Sequence, residues 1–243
     1  MIIDYHAHLP YDRATNQFDE ISLLNDMELN GIDMRLVSAL YGPSIQTQND
    51  KVAELAQSHP KKILACAVIN PKAYDCLIEL DRIIAMGCFK AIELDPLEHN
   101  YFPEECEALD EVIIKASQAS LTINVYTGWG CRTMPFQWEK YALRHPQAKF
   151  VMLHMGTTDF GYGTVNYLAP RTPNLYLETS CMYELQILKK AFIKVDHGKF
   201  LFGSHYPHKI TKCSIDAFEL LYLDEKTRAK LFHENAQNLI NKT

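Results

Sequence analysis

Two histidines one residue apart, His6 and His8, close an apolar run that begins at the first residue, Met1-Ile2-Ile3-Asp4-Tyr5-His6-Ala7-His8-Leu9-Pro10. Residues i and i+2 of a strand share a face, so both imidazoles can aim at one point beyond the strand's end. A pair of this kind is half of a metal site. Pro10, which has no N–H to give to a ladder, takes the chain out of the strand. Polar residues recur where other apolar runs stop, at Glu93, Tyr126, His154, Glu178 and His205. Imidazole and carboxylate donors gathered from separate strands suit one divalent ion, with zinc expected first and manganese or iron as alternatives.

The elements that must gather these residues are short strands alternating with helical segments. Ile63–Ile69 is continuously apolar and closed by Asn70-Pro71, which fits a strand buried on both faces. Similar runs lie at Arg35–Leu40, Phe89–Leu94, Leu121–Tyr126, Phe150–His154, Asn174–Thr179 and Phe200–Gly203. Helical spacing appears over 18–27, 49–58, 77–86, 104–119, 136–144, 185–195 and 224–240. About eight strands with intervening helices in 243 residues predict a single-domain α/β chain, 1–243, folded as a (β/α)₈ barrel. An open doubly wound sheet would carry a glycine-rich turn after its first strand, where this chain has His-Ala-His-Leu-Pro.

Composition narrows the function. The residues are 47% hydrophobic and 11% aromatic, enough for a large core, and the formal charge is −6 with no lysine- or arginine-rich run, which argues against a nucleic-acid partner. There is no signal-like leader and no apolar stretch of membrane length, so the expectation is a cytoplasmic protein without a membrane partner. Seven scattered cysteines, none spaced Cys-x-x-Cys, read as mostly buried reduced thiols. A small-molecule substrate fits these limits, and a homo-oligomer is compatible with them.

In order along the chain, Asp4-Tyr5-His6-Ala7-His8, Gly87-Cys88-Phe89-Lys90-Ala91-Ile92-Glu93-Leu94, Tyr126-Thr127-Gly128, Leu153-His154-Met155-Gly156 and Phe202-Gly203-Ser204-His205-Tyr206-Pro207 resemble the amidohydrolase-related family of metal-dependent hydrolases, which also contains non-oxidative decarboxylases. The closing Phe232-His233-Glu234-Asn235-Ala236 is similar to that family's terminal helix. The resemblance implies metal-site roles for His6, His8 and His154, and with His205 they could hold a metal through four imidazoles, with His154 or His205 also moving the proton. Two positions depart from it. Tyr126 stands where the family usually has a histidine, and His205 where it usually has an aspartate. Phenol is a poor ligand at neutral pH, so Tyr126 is assigned to substrate binding, together with Trp129, Arg132, Glu93 and His208. Glu93 could also supply the missing carboxylate if its strand delivers it to the mouth. Trp129, Arg132 and Trp138 could form a substrate wall with a cationic clamp.

The leading functional expectation is a hydrolase acting on an amide, ester or lactone through metal-activated water. The alternatives are a non-oxidative decarboxylase of an unsaturated or aromatic acid, and a weakened barrel that binds a small molecule without turnover.

Overall fold

The computed structural model describes residues 1–241, with the side chains of residues 158 and 159 outside the description. Eight strands, β1 (Ile3–His8), β2 (Met34–Ser38), β3 (Ile63–Val68), β4 (Phe89–Leu94), β5 (Thr122–Val125), β6 (Phe150–Met152), β7 (Leu175–Glu178) and β8 (Phe200–Leu201), form one sheet in chain order. Every neighbouring pair is parallel. The segment after β8 closes the ring against β1, with Tyr5 N–H donating to Phe202 O, His205 N–H to His6 O and His8 N–H to Tyr206 O at 2.8, 2.8 and 2.6 Å. The expected parallel barrel is what this sequence forms.

Alternation along the strands separates two apolar layers. Leu36, Cys66 and Ala91 join Ile3 and Tyr5 in one cluster, while Val37, Ala65, Ala67, Ile92 and Leu94 pack outward under the helices. Ala236, Leu239 and Ile240 of the last helix (Asn235–Asn241) join the first cluster and cover the barrel end opposite the histidines. The register of β1 against β2 shifts between Asp4 and Ala7. This irregularity lets Tyr5 reach Thr122 on β5 (2.7 Å) while the next residue, His6, also faces inward toward Glu93 and Glu178. Bulges commonly re-aim side chains beside functional sites in this way.

The helices α1 (Glu20–Asn30), α2 (Ile45–Ser58), α3 (Cys76–Met86), α4 (Leu109–Gln118) and α5 (Pro135–Arg144) follow the first five strands. Asp19 caps α1 by accepting from Ser22 N–H at 2.9 Å, Ser44 caps α2, and Gly31 and Gly87 end α1 and α3 in the left-handed conformation. The helix expected over 104–119 is instead a 3₁₀ turn, Pro103–Glu105, followed by α4. Two helical stretches are additional to the sequence expectation, 158–171 and Thr211–Glu219. All seven cysteines are free, as expected, but only Cys66 and Cys76 are buried, and Cys131 and Cys213 are exposed. Among the described residues, no helix is long and apolar enough to cross a membrane.

Candidate metal centre at the barrel mouth

At the C-terminal ends of the strands, His6, His8, His154 and His205 come together. His6 has its ring centroid 4.9 Å from those of His8 and His205 and 5.0 Å from that of His154. All four are buried, and His208, exposed on the loop after β8, has its ring tilted 5.0 Å from that of His205. The mouth also receives Glu93 from β4, with Oε1 3.9 Å from His6 Nε2. Potential ligand atoms group into three overlapping sets, each within 4.8 Å: His6 with His8 and Glu93; His6 with His154 and His205; His8 with His205 and His208.

The hydrogen bonds around this cluster assign ring protons. Ser38 Oγ donates its single proton to Glu93 Oε2 (2.6 Å), so the 2.8 Å contact between Ser38 Oγ and His8 Nδ1 has the imidazole N–H as donor. The same logic holds at Ser180, which donates to Glu178 Oε2 (2.7 Å) and accepts from His154 Nδ1–H (2.8 Å). His6 Nδ1–H lies 3.2 Å from Glu178 Oε2. In three histidines the Nδ1 edge is therefore held by the protein. Their Nε2 atoms, with Glu93 Oε1, are buried without a hydrogen-bond partner among the described residues. Buried polar atoms are nearly always partnered, and metal-ligating histidines usually give their other nitrogen to a carboxylate, hydroxyl or carbonyl. The donor set fits a divalent ion at His6, His8 and Glu93, with His154 and His205 alongside.

Charge coupling follows the same geometry. Burial opposes charge on His6, but Glu178 and Glu93 outweigh it and raise its pKa to about 10. Burial, reinforced by His6, lowers His8 to about 3. Burial alone would raise Glu93, yet the neighbouring His8 and His6 bring it down to about 2. His154 and His205 are pushed down by burial and by the surrounding imidazoles, so both are held neutral. With no metal, the positive charge that a cation would bring beside Glu93 and Glu178 is carried by protonated His6.

The backbone around the cluster is unusual. His154, Met155, Thr157, Cys181 and His205 are non-glycine residues with φ of 65°, 53°, 35°, 61° and 57°. Left-handed conformations at such residues cost free energy and persist where the surroundings over-determine them. Here Glu178 Oε2 accepts from His154 N–H (3.1 Å), and the His205–His6 backbone bond pins the other side. Glu178 itself needs a residue without a side chain opposite it, since a Cβ on Gly203 would lie 2.0 Å from its Oε1.

The remaining sequence-derived site residues divide. Tyr126 and Trp129 reach the mouth, their rings 5.0 and 5.1 Å from that of His154. Burial raises the Tyr126 phenol above its ordinary range, which keeps it protonated. Glu93 is in the donor set rather than on a substrate wall. The wall of Trp129, Arg132 and Trp138 is not assembled. Trp138 is wholly buried beside Tyr141, and Arg132 lies over the Phe102 ring in a separate cavity with Lys72 and Tyr101. Ser38, Ser180 and Cys181, whose sulfur is 3.2 Å from His205 Nδ1, were not anticipated. A serine interrupting the apolar run 35–40, and another directly after Glu178-Thr179, were the available signals.

Solved structures with this fold include an uncharacterised TIM-barrel protein from Bordetella bronchiseptica, with TM-score 0.79, 18% identity and 99% and 98% of the two chains covered. A dihydroxybenzoic acid decarboxylase from a Polaromonas species, solved with bound manganese and 2-nitroresorcinol, matches with TM-score 0.74, 17% identity and coverage of 99% and 96%. A probable 2-pyrone-4,6-dicarboxylic acid hydrolase from Acinetobacter baumannii, solved with citric acid, matches with TM-score 0.74, 14% identity and coverage of 99% of each chain. Identities this low speak to the barrel alone. No curated protein matches the chain by sequence. The amidohydrolase family model matches residues 3–241, nearly the full length. The chain belongs to the amidohydrolase family.

Proposed function

We propose that this chain is a metal-dependent enzyme acting on a small molecule, and that its reaction is hydrolysis of an amide, ester or lactone. The observation that carries this reading is the set of four buried, unpartnered atoms, His6 Nε2, His8 Nε2, His154 Nε2 and Glu93 Oε1. Two imidazoles and one carboxylate are a donor set of catalytic zinc in hydrolytic enzymes, so zinc is the first choice, ahead of manganese and iron. His6, His8 and Glu93 would hold a divalent ion, which would supply Lewis acidity to polarise a carbonyl and make water more acidic.

The chain's own groups do the rest. Ser38 and Glu178 fix the orientation of His8 and His6. His154, neutral and pinned through Nδ1 by Ser180, presents Nε2 as a proton acceptor toward the same space. His205, at the position of the family's usual aspartate, is the second proton carrier. Tyr126 and Trp129 wall off water on the His154 side and offer a hydroxyl to the substrate.

The same aromatic wall favours a second reading, decarboxylation of an aromatic acid, the activity named for the Polaromonas neighbour. A screen of amides, esters, lactones and aromatic acids with metal-loaded protein in ¹⁸O-water separates the two. Hydrolysis places label in the product, whereas decarboxylation releases carbon dioxide and leaves the organic product unlabelled. Metal-loaded protein that binds these compounds and turns over none of them would replace both readings with a binding function.

A further inference from the structure

The mouth opens into two lobes that meet at Tyr41 and His208. The larger, about 420 Å³, is walled by His8, Tyr11, Arg13, Tyr41 and His208, and no carboxylate lines it. The smaller, about 190 Å³, brings Asp95, Glu98, Tyr126 and His205 against the same Tyr41 and His208. One lobe thus carries a fixed positive charge and the other carries two carboxyl groups, in a chain whose net charge is −6.

Arg13 lies on the short hairpin Tyr11–Asp12/Gln17–Phe18 that follows β1. Its guanidinium carbon is 4.5 Å over the Tyr41 ring. Stacking of this kind orients the plane of the group and leaves its N–H edge open to a ligand. Arg35, Arg82, Arg144 and Arg171 each have a nitrogen within 2.8 Å of a carboxylate. Arg13 has no such partner among the described residues. The adjacent Asp12 is committed to Ala14 N–H and Thr15 Oγ1–H, at 2.8 and 2.9 Å. Across Tyr41, Asp95 accepts from Leu97 and Glu98 N–H through Oδ1 alone, at 2.8 and 3.0 Å, which leaves Oδ2 free of partners among the described residues.

We propose that Arg13 determines specificity by binding a carboxylate of the substrate, and that the opposite end of that acid carries hydroxyl or amino donors directed at Asp95 and Glu98. The substrate is then a hydroxy- or amino-carboxylic acid laid across Tyr41, with its middle beside the histidines. The arginine clamp that the sequence suggested at Arg132 falls to Arg13, which shares a cavity with His8. This rests on the mouth being the small-molecule site proposed above.

Calorimetric binding of 3-hydroxybenzoate and of its neutral analogue 3-hydroxybenzamide to metal-loaded protein tests it. Wild type should prefer the acid by about tenfold or more, the scale of one bidentate charge-assisted contact. Arg13→Gln should remove that preference while leaving amide affinity unchanged, and Arg13→Lys should keep only part of it. Arg132→Gln should bind as wild type does. Arg13 is exposed, so matched melting temperatures are expected. The absence of an acid preference in wild type, or a preference that survives Arg13→Gln, overturns the assignment. Metal content measured on the same samples keeps the two readings apart. An Arg13-dependent preference in protein that takes up no metal would sink the metal-dependent reading and leave this one standing.

Discussion

Two buried polar regions meet at β1, and they are built on opposite terms. On its outward side, Asp4 accepts from Arg35 Nε (2.8 Å), Ser204 Oγ (2.6 Å) and Ser204 N–H (2.9 Å), while Arg35 also reaches Asp26 at 2.7 Å and Thr211 completes the group. Every formal charge there has a partner. A few residues further along the same strand, His6, His8 and their neighbours leave four buried atoms without one. A buried polar group left unpaired costs about 1–3 kcal/mol. The first region is a brace that ties β1 to β2, to α1 and to the segment after β8, and the second is the site proposed above to take a ligand.

The largest way to break this contrast is through the brace. Arg35→Met strands the Asp4 carboxylate in a closed interior and should destabilise the fold by about 3–5 kcal/mol, whereas Asp4→Leu/Arg35→Met should recover most of that loss. Denaturant unfolding checks it, and a double variant no better than the single one would show that the pair's geometry, rather than its charge balance, matters. At the mouth the sign reverses, because adding a group should stabilise. Zinc at 100 times its dissociation constant should raise unfolding free energy by about 2.7 kcal/mol, and a chelator should remove the gain. A melting temperature indifferent to metal would equate the two regions.

A smaller effect is expected one layer behind the donors. Gly203→Ala places a Cβ against Glu178, and Glu178→Gln removes the charge that orients His6 and His154. Each should lower metal affinity by about 10–100-fold, and Gly203→Ala should also lower the metal-free melting temperature, because its Cβ collides with a buried side chain. The response to pH is of similar size. His6, faced by Glu178, Glu93, His8, His154 and His205, keeps its proton up to a pKa of about 10 when metal-free. Metal must displace that proton, so affinity should rise by up to about tenfold per pH unit between roughly pH 7 and 9 and level off above the His6 pKa. A flat profile would mean that His6 is not a ligand.

How far the sequence foretold this contrast depends on where the information resides. The inward aim of His6 and His8 was legible because strand periodicity is local. The irregularity in β1 that lets Tyr5 and His6 both face inward was not, because it arises from pairing with β2. The apolar strand runs announced themselves. The helix Thr211–Glu219 did not, because its buried face mixes Thr211 and Ser214 with Ile215 and Phe218, hydroxyls standing where apolar side chains are expected. The helical stretch after β6 was obscured by Gly161 and Gly163, residues of low helix propensity. Gly161 packs closely against a flexible side-chain end, a Cβ there lying 2.8 Å from Met182 Cε. Trp138 could have been placed, for Trp138, Tyr141 and Ala142 fall at i, i+3 and i+4 and are all buried. That Glu93 would face the histidines from its strand while Arg132 would line a separate cavity was set by the closing of the barrel, which no local pattern encodes.

The central claim is that His6, His8 and Glu93 hold the metal, with His205 beside it as a proton carrier. Titration of metal-free protein with zinc, in wild type, His6→Ala/His8→Ala, Glu93→Gln and His205→Ala, tests it most directly. One ion per chain is predicted for wild type. Binding should be abolished in the histidine double variant, weakened by about 100-fold in Glu93→Gln, and retained in His205→Ala. Binding that is unchanged in Glu93→Gln but lost in His205→Ala would contradict the account and return the metal to the all-histidine set.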